Sequence, residues 1–171
     1  MGKNDYRKER SKLGNFMYDL TFNGSKFLIK YEIVYWILNF TWGIITTLCG
    51  LLISLVLLCF GKKPKKCHKI WYFKIFKNWG GMEMGTMFLR DCNSDNSINN
   101  HEYGHTFQNA ILGPFFIFIV AIPSAIRYWY QTIREKQNKE NKDYDLIWFE
   151  GGATDIGNEA EKYFNEKEGD K

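Results

Sequence analysis

A chain of 171 residues with a formal net charge of +4 has room for one modest domain and not for two ordinary ones. Its basic residues are spread over tails and flanks, with no stripe of lysine and arginine interleaved with aromatics, so nucleic acid is not an expected partner. Four cysteines (Cys49, Cys59, Cys67, Cys92) form no C-x-x-C pair, which argues against a disulfide framework or a zinc ribbon.

The mean hydropathy of −0.36 averages over a sharp partition, with two apolar blocks between polar ends. Residues 1–30 read as a polar basic tail, flexible or interfacial, with a short amphipathic helix before Lys30 and no cleavable signal peptide. Residues 31–60 follow as a transmembrane anchor helix. No charge interrupts positions 33–60, and a span needs about 20 apolar residues. Gly43 and Gly50 leave room for a second element to pack closely. Seven lysines between positions 61 and 80 place the following region on the cytoplasmic side of the membrane.

From 61 to 164 the sequence reads as one metal-binding domain. Residues 70–90 carry β-branched and aromatic residues on both sides of Gly80-Gly81, which predicts an antiparallel hairpin. The Asn/Asp/Ser-rich stretch to Asn100 predicts a loop whose last residues, Asn99 or Asn100, cap a helix. The second apolar block, 110–130, is shortened by Pro123 and Arg127 and suits a re-entrant or membrane-packed segment. A charged linker leads to an amphipathic helix over 146–164, and 165–171 form a charged tail.

The chemistry concentrates in His101-Glu102-Tyr103-Gly104-His105. On a helix, residues i and i+4 share a face, so His101 and His105 can offer two imidazoles to one Zn²⁺. Glu102 then stands beside the metal as the base that takes a proton from water, the arrangement of H-E-x-x-H zinc hydrolases. A third ligand is required. Glu150 in Trp148-Phe149-Glu150-Gly151-Gly152-Ala153-Thr154-Asp155 is the favoured candidate, because it closes an apolar stretch; Glu159 is the alternative. Were 110–130 to cross the bilayer fully, Glu150 would emerge on the side opposite the histidines, so a shared site favours a segment that dips and returns.

The E-x-x-A spacing from Glu150 resembles the third-ligand helix of gluzincin peptidases, where a nearby Asp orients a metal-binding His. Here the Asp falls one residue late, so the resemblance leaves that role to Asp155 or to Thr154. More broadly, Asn100 to Gln108, Leu112-Gly113-Pro114, Pro123-Ser124-Ala125-Ile126-Arg127-Tyr128 and Lys77-Asn78-Trp79-Gly80-Gly81 resemble a group of small bacterial membrane proteins bearing H-E-x-G-H-T-x-Q. The resemblance implies a gluzincin-like zinc metallopeptidase of the cytoplasmic membrane and supplies no substrate.

The expected fold is mainly α with a small β-hairpin: a transmembrane anchor plus a compact zincin-like α+β domain associated with the membrane. The expected partners are the lipid bilayer and a membrane-proximal peptide or protein. The expected activity is hydrolysis by metal-activated water, with His68, Arg127 or Tyr103 as donor to the developing oxyanion. The alternative is a non-catalytic membrane protein with a structural or vestigial zinc site that acts through protein partners.

Overall fold

The computed structural model describes residues 3–169 and is mostly helical with one small mixed sheet. Helices α1 (Lys3–Glu9), α2 (Lys12–Lys30), α3 (Glu32–Phe40) and α4 (Ile44–Cys59) precede four strands, β1 (Lys65–Cys67), β2 (Ile70–Lys74), β3 (Gly81–Met84) and β4 (Met87–Arg90). Helix α5 (Ser97–Leu112), a π-helical turn (Ile117–Ala121) running into α6 (Ile122–Lys136), a 3-10 turn (Tyr144–Leu146) and α7 (Trp148–Gly169) complete the chain.

Helix α2 replaces most of the expected tail. Ser11 caps it by accepting the Gly14 N–H at 3.0 Å. Its buried face is Gly14, Thr21, Ser25, Leu28 and Ile29, set at helical spacing. Small and hydroxyl residues fill three of those five positions, which is why it does not register as an apolar stripe. The hydroxyls of Thr21 and Ser25 satisfy themselves on the backbone one turn back, so their burial costs little. At the other end of the chain, α7 continues through the expected charged tail as far as Gly169, and residues 170–171 lie outside the described ones.

The apolar block 31–60 is not one helix. It breaks at Thr41–Gly43 into α3 and α4, bent by 85°. Among the described residues no single helix is long and apolar enough to cross a membrane, while this bent pair passes on combined length and composition. The break is pinned by polar groups. The buried Asn39 amide donates to Tyr35 O at 3.1 Å and accepts from Asn109 of α5 at 2.8 Å. Thr46 donates to Asn109 Oδ1 at 2.8 Å, and Thr47 donates to Asn39 O at 2.9 Å, which occupies a carbonyl that the break releases from the helical ladder.

The sheet runs in the order β1-β2-β4-β3. The predicted hairpin about Gly80-Gly81 is absent: β2 and β4 pair in parallel, and β3 pairs antiparallel with β4 across Gly85-Thr86. Residues 75–80 form a loop instead, with Phe76, Asn78 and Gly80 at positive φ. Asp91 holds that loop by accepting the Trp79 N–H at 2.9 Å, and its own N–H donates to Gly80 O at 2.7 Å. The result leaves β3 as a sheet edge beside α5.

Helix α5 starts at Ser97, earlier than the expected Asn99 or Asn100 cap, and Asp95 accepts the Ser97 N–H at 2.8 Å. It is buried almost throughout its second half and forms the centre of the molecule, with α7, α2, α3 and β3 around it. Helix α6, in contrast, has no buried residue, and Ile122, Ile126, Trp129 and Ile133 are exposed along it.

Candidate metal centre

Two glycines set the distance between α5 and α7. A side chain at Gly104 would collide with the Ala153 carbonyl, and one at Gly157 with the Asn100 carbonyl. With hydrogen alone at both positions the backbones touch, and Glu150 at the start of α7 reaches the histidine face of α5. Glu150 Oε2 lies 3.1 Å from His101 Nε2 and 3.3 Å from His105 Nε2, and the two Nε2 atoms are 3.1 Å apart. Glu150 is fully buried, His105 buried and His101 partly buried.

The tautomers follow from the groups behind the rings. Gln108 donates its amide to Phe149 O at 2.8 Å, which turns Oε1 toward His105 Nδ1, also at 2.8 Å. Thr154 donates to Asp145 Oδ1 at 3.2 Å and so accepts from His101 Nδ1 at 2.9 Å. Each Nδ1 is therefore the donor, and each Nε2 turns a lone pair toward Glu150. Three acceptors converge on one point; among the described residues no well-formed hydrogen bond reaches either Glu150 oxygen, and the Tyr144 hydroxyl interacts with its carboxylate. Converging buried acceptors of this kind call for a cation. His101, His105 and Glu150 form a group that can hold a metal ion.

Burial opposes the charge of Glu150, but in the metal-free state with both rings protonated, the N–H groups and charges of His101 and His105 outweigh it and hold its carboxyl well below the usual carboxylate range. Glu102 is also buried. Burial pushes it up to about 7, with His105 lowering it and the Glu150 charge raising it. It packs directly under Gly81 of β3, where a methyl group would overlap its carboxylate.

Other expected residues lie elsewhere. Asp155 accepts from the Tyr18 hydroxyl at 2.5 Å and so faces α2, while Thr154 takes the orienting position behind His101. Glu159 stands nine positions beyond Glu150 on α7 and does not join the group. His68 stacks on Tyr103 and Phe164, with ring centroids 5.3 and 5.2 Å away, and neither His68 nor Tyr103 lines the cleft over the triad. Arg127 donates to the carbonyls of Asp143 and Tyr144, holding that loop in place.

Three contributors went unassigned in the sequence. Gln108 and Asp145 orient the two rings. Tyr144 packs its ring 6.2 Å from that of His101, and its hydroxyl is raised above its ordinary range by burial and by the Glu150 charge. Arg10, from the supposed tail, donates to the carbonyls of Asp145 and Leu146, both at 2.7 Å, and thereby anchors the turn that carries two of them. Only the T-x-Q that follows the second histidine offered a signal for Gln108.

Compared with protein-family models, curated proteins and solved structures, the chain matches none. The arrangement of its own residues therefore carries the functional argument. His101 and His105 open into a cleft of about 1110 Å³ bounded by α4, β3, the π-helical turn and α6.

Proposed function

We propose that the protein is a membrane-associated zinc metallopeptidase. The observation that carries this reading is the triad of converging lone pairs with a buried carboxylate, Glu102, beside it and an open cleft above it. Two imidazoles and a carboxylate suit zinc, and among the described residues the group has three protein members, the number found at catalytic zinc sites. Zinc bound there would polarise the substrate carbonyl and lower the pKa of a bound water to about 7.

The side chains divide the remaining work. Glu102, buried beside the two histidines, takes a proton from the attacking water as oxygen bonds to the carbonyl carbon. It returns that proton to the amide nitrogen as the C–N bond breaks. The Tyr144 hydroxyl is the donor for the negative charge that develops on the carbonyl oxygen. The edge of β3 binds the peptide. Its pairing alternates so that Gly80 and Met82 face β4, which turns the backbone groups of Gly81 and Glu83 away from β4 and toward Glu102, whose carboxylate takes the Glu83 N–H.

Membrane association is supported by surface composition. Leu48, Leu52 and Leu55 of α4 and Ile122, Ile126 and Trp129 of α6 are all exposed, and an apolar face of this extent is a contact surface for lipid or protein. Lys62, Lys63, Lys65 and Lys66 follow α4 directly, where they suit the headgroups of the cytoplasmic leaflet. The same motifs support the likeness to the small membrane proteins with H-E-x-G-H-T-x-Q. The test is Glu102→Gln, which is expected to keep zinc and abolish hydrolysis of a casein or peptide substrate. Retained hydrolysis in that variant contradicts the mechanism.

A further inference from the structure

The walls of the cleft point to a substrate class. Its floor is polar, with His101, Glu102, His105 and Tyr144. Its two sides are apolar: Ile45 and Cys49 project from α4, and Val120 and Ala125 come from the π-helical turn and α6. Ile45, Cys49 and Ala125 are also solvent-exposed, so these parts of the walls run outward into the exposed apolar faces of α4 and α6, with Thr46, Ser124, Thr132 and Lys136 as polar lining on the same two helices. A soluble substrate would leave those walls wet. A substrate arriving along the same apolar face would cover them and enter sideways, between the two helices.

The occupant is also constrained by β3. The Glu83 N–H is taken by Glu102, but the backbone groups of Gly81 also turn away from β4; an acyl chain has no use for them, whereas an extended peptide pairs with them. Resting on the peptidase reading, we infer that the cleft takes an extended segment of a membrane-inserted polypeptide, rich in large apolar side chains, admitted laterally between α4 and α6.

The test measures capture and cleavage separately. Full-length Glu102→Gln protein in phospholipid vesicles is incubated with benzophenone-bearing peptides of equal length, one rich in Leu and Phe and one with Ser and Gln in their place. The apolar peptide is expected to crosslink at least about ten-fold more efficiently, with the adducts on α4, β3 or α6. Ala125→Glu adds a charge at the exposed mouth, and is expected to cut that capture about ten-fold while metal content, measured on the same sample, stays unchanged. Methylating the peptide amides that face β3 is expected to weaken capture similarly, which separates a peptide from a lipid-like occupant. Equal capture of both peptides, no capture of either, or capture indifferent to Ala125→Glu and to N-methylation overturns the inference. Apolar capture without cleavage by the unmodified protein sinks the peptidase reading alone and leaves the assignment of the cleft standing.

Discussion

Thr154 and Gln108 show how much of the site depends on atoms that never touch the metal position. Each fixes the tautomer of one imidazole, so replacing either frees a ring to rotate or to present N–H where a lone pair is needed. Thr154→Val is expected to weaken zinc binding about 10- to 100-fold, measured by competition with a chromophoric chelator. Tyr144→Phe should lower kcat by about two to three orders of magnitude, with metal content and KM little changed. A structural role alone would move the metal content as well. Glu83 makes a prediction about stability. Its side chain is buried in the sheet with Oε2 unpartnered, and burial raises its pKa well above the usual value. The folded state therefore retains a proton that the unfolded chain releases above about pH 4.5, so stability falls as pH rises from there toward the folded pKa. Glu83→Gln removes that dependence and is expected to raise Tm at pH 8 relative to the parent, with a smaller difference at pH 5. The same gain at both pH values would contradict this account. At this scale the sequence exposes His101 and His105 by helical spacing and Glu150 by a closing apolar stretch, while Thr154 enters only through the gluzincin resemblance, as the alternative to Asp155. Tyr144 and Asp145 are not legible, since a loop returning from α6 brings them to the site and nothing in their local pattern says so.

Among the elements, the contact between α5 and α7 decides whether the ligands meet. Gly104→Ala places a methyl group against the Ala153 carbonyl, and neither helix backbone can yield without moving Glu150 away from the histidines. Overpacking of this kind costs about 1–3 kcal/mol, so the variant is expected to fold with a lowered Tm and to lose zinc. Unchanged zinc affinity in Gly104→Ala would show that the crossing does not set the site. The motif presents Gly104 as a thin place on the helix, but only the fold identifies what fills it. The bend between α3 and α4 has the same character. Asn39, Gly43, Thr46 and Thr47 interrupt an uncharged run, and their meaning depends on Asn109 lying opposite. The parallel pairing of β2 with β4 is equally non-local. Gly80-Gly81 resembles a turn signal, yet the tight turn falls at Gly85-Thr86, where β4 can insert between β2 and β3.

Over the whole molecule, the supposed N-terminal tail turns out to be part of the scaffold. Arg10 holds the turn bearing Asp145, and Tyr18 holds Asp155, so α1 and α2 brace the start of α7 from behind. The mainly helical character was legible from the sequence; the docking of residues 3–30 was not, because their buried face is made of Gly, Thr and Ser. Helices α4 and α6, with exposed apolar residues, flank the cleft, and α6 also ties through Arg127 to the turn that Arg10 holds. Metal at His101, His105 and Glu150 is read by elemental analysis of the purified protein. The account predicts about one zinc per chain, lost in His105→Ala and in Glu150→Ala and kept in Glu159→Ala. A protein free of metal after saturation with zinc, or one whose zinc survives both losses, would contradict it.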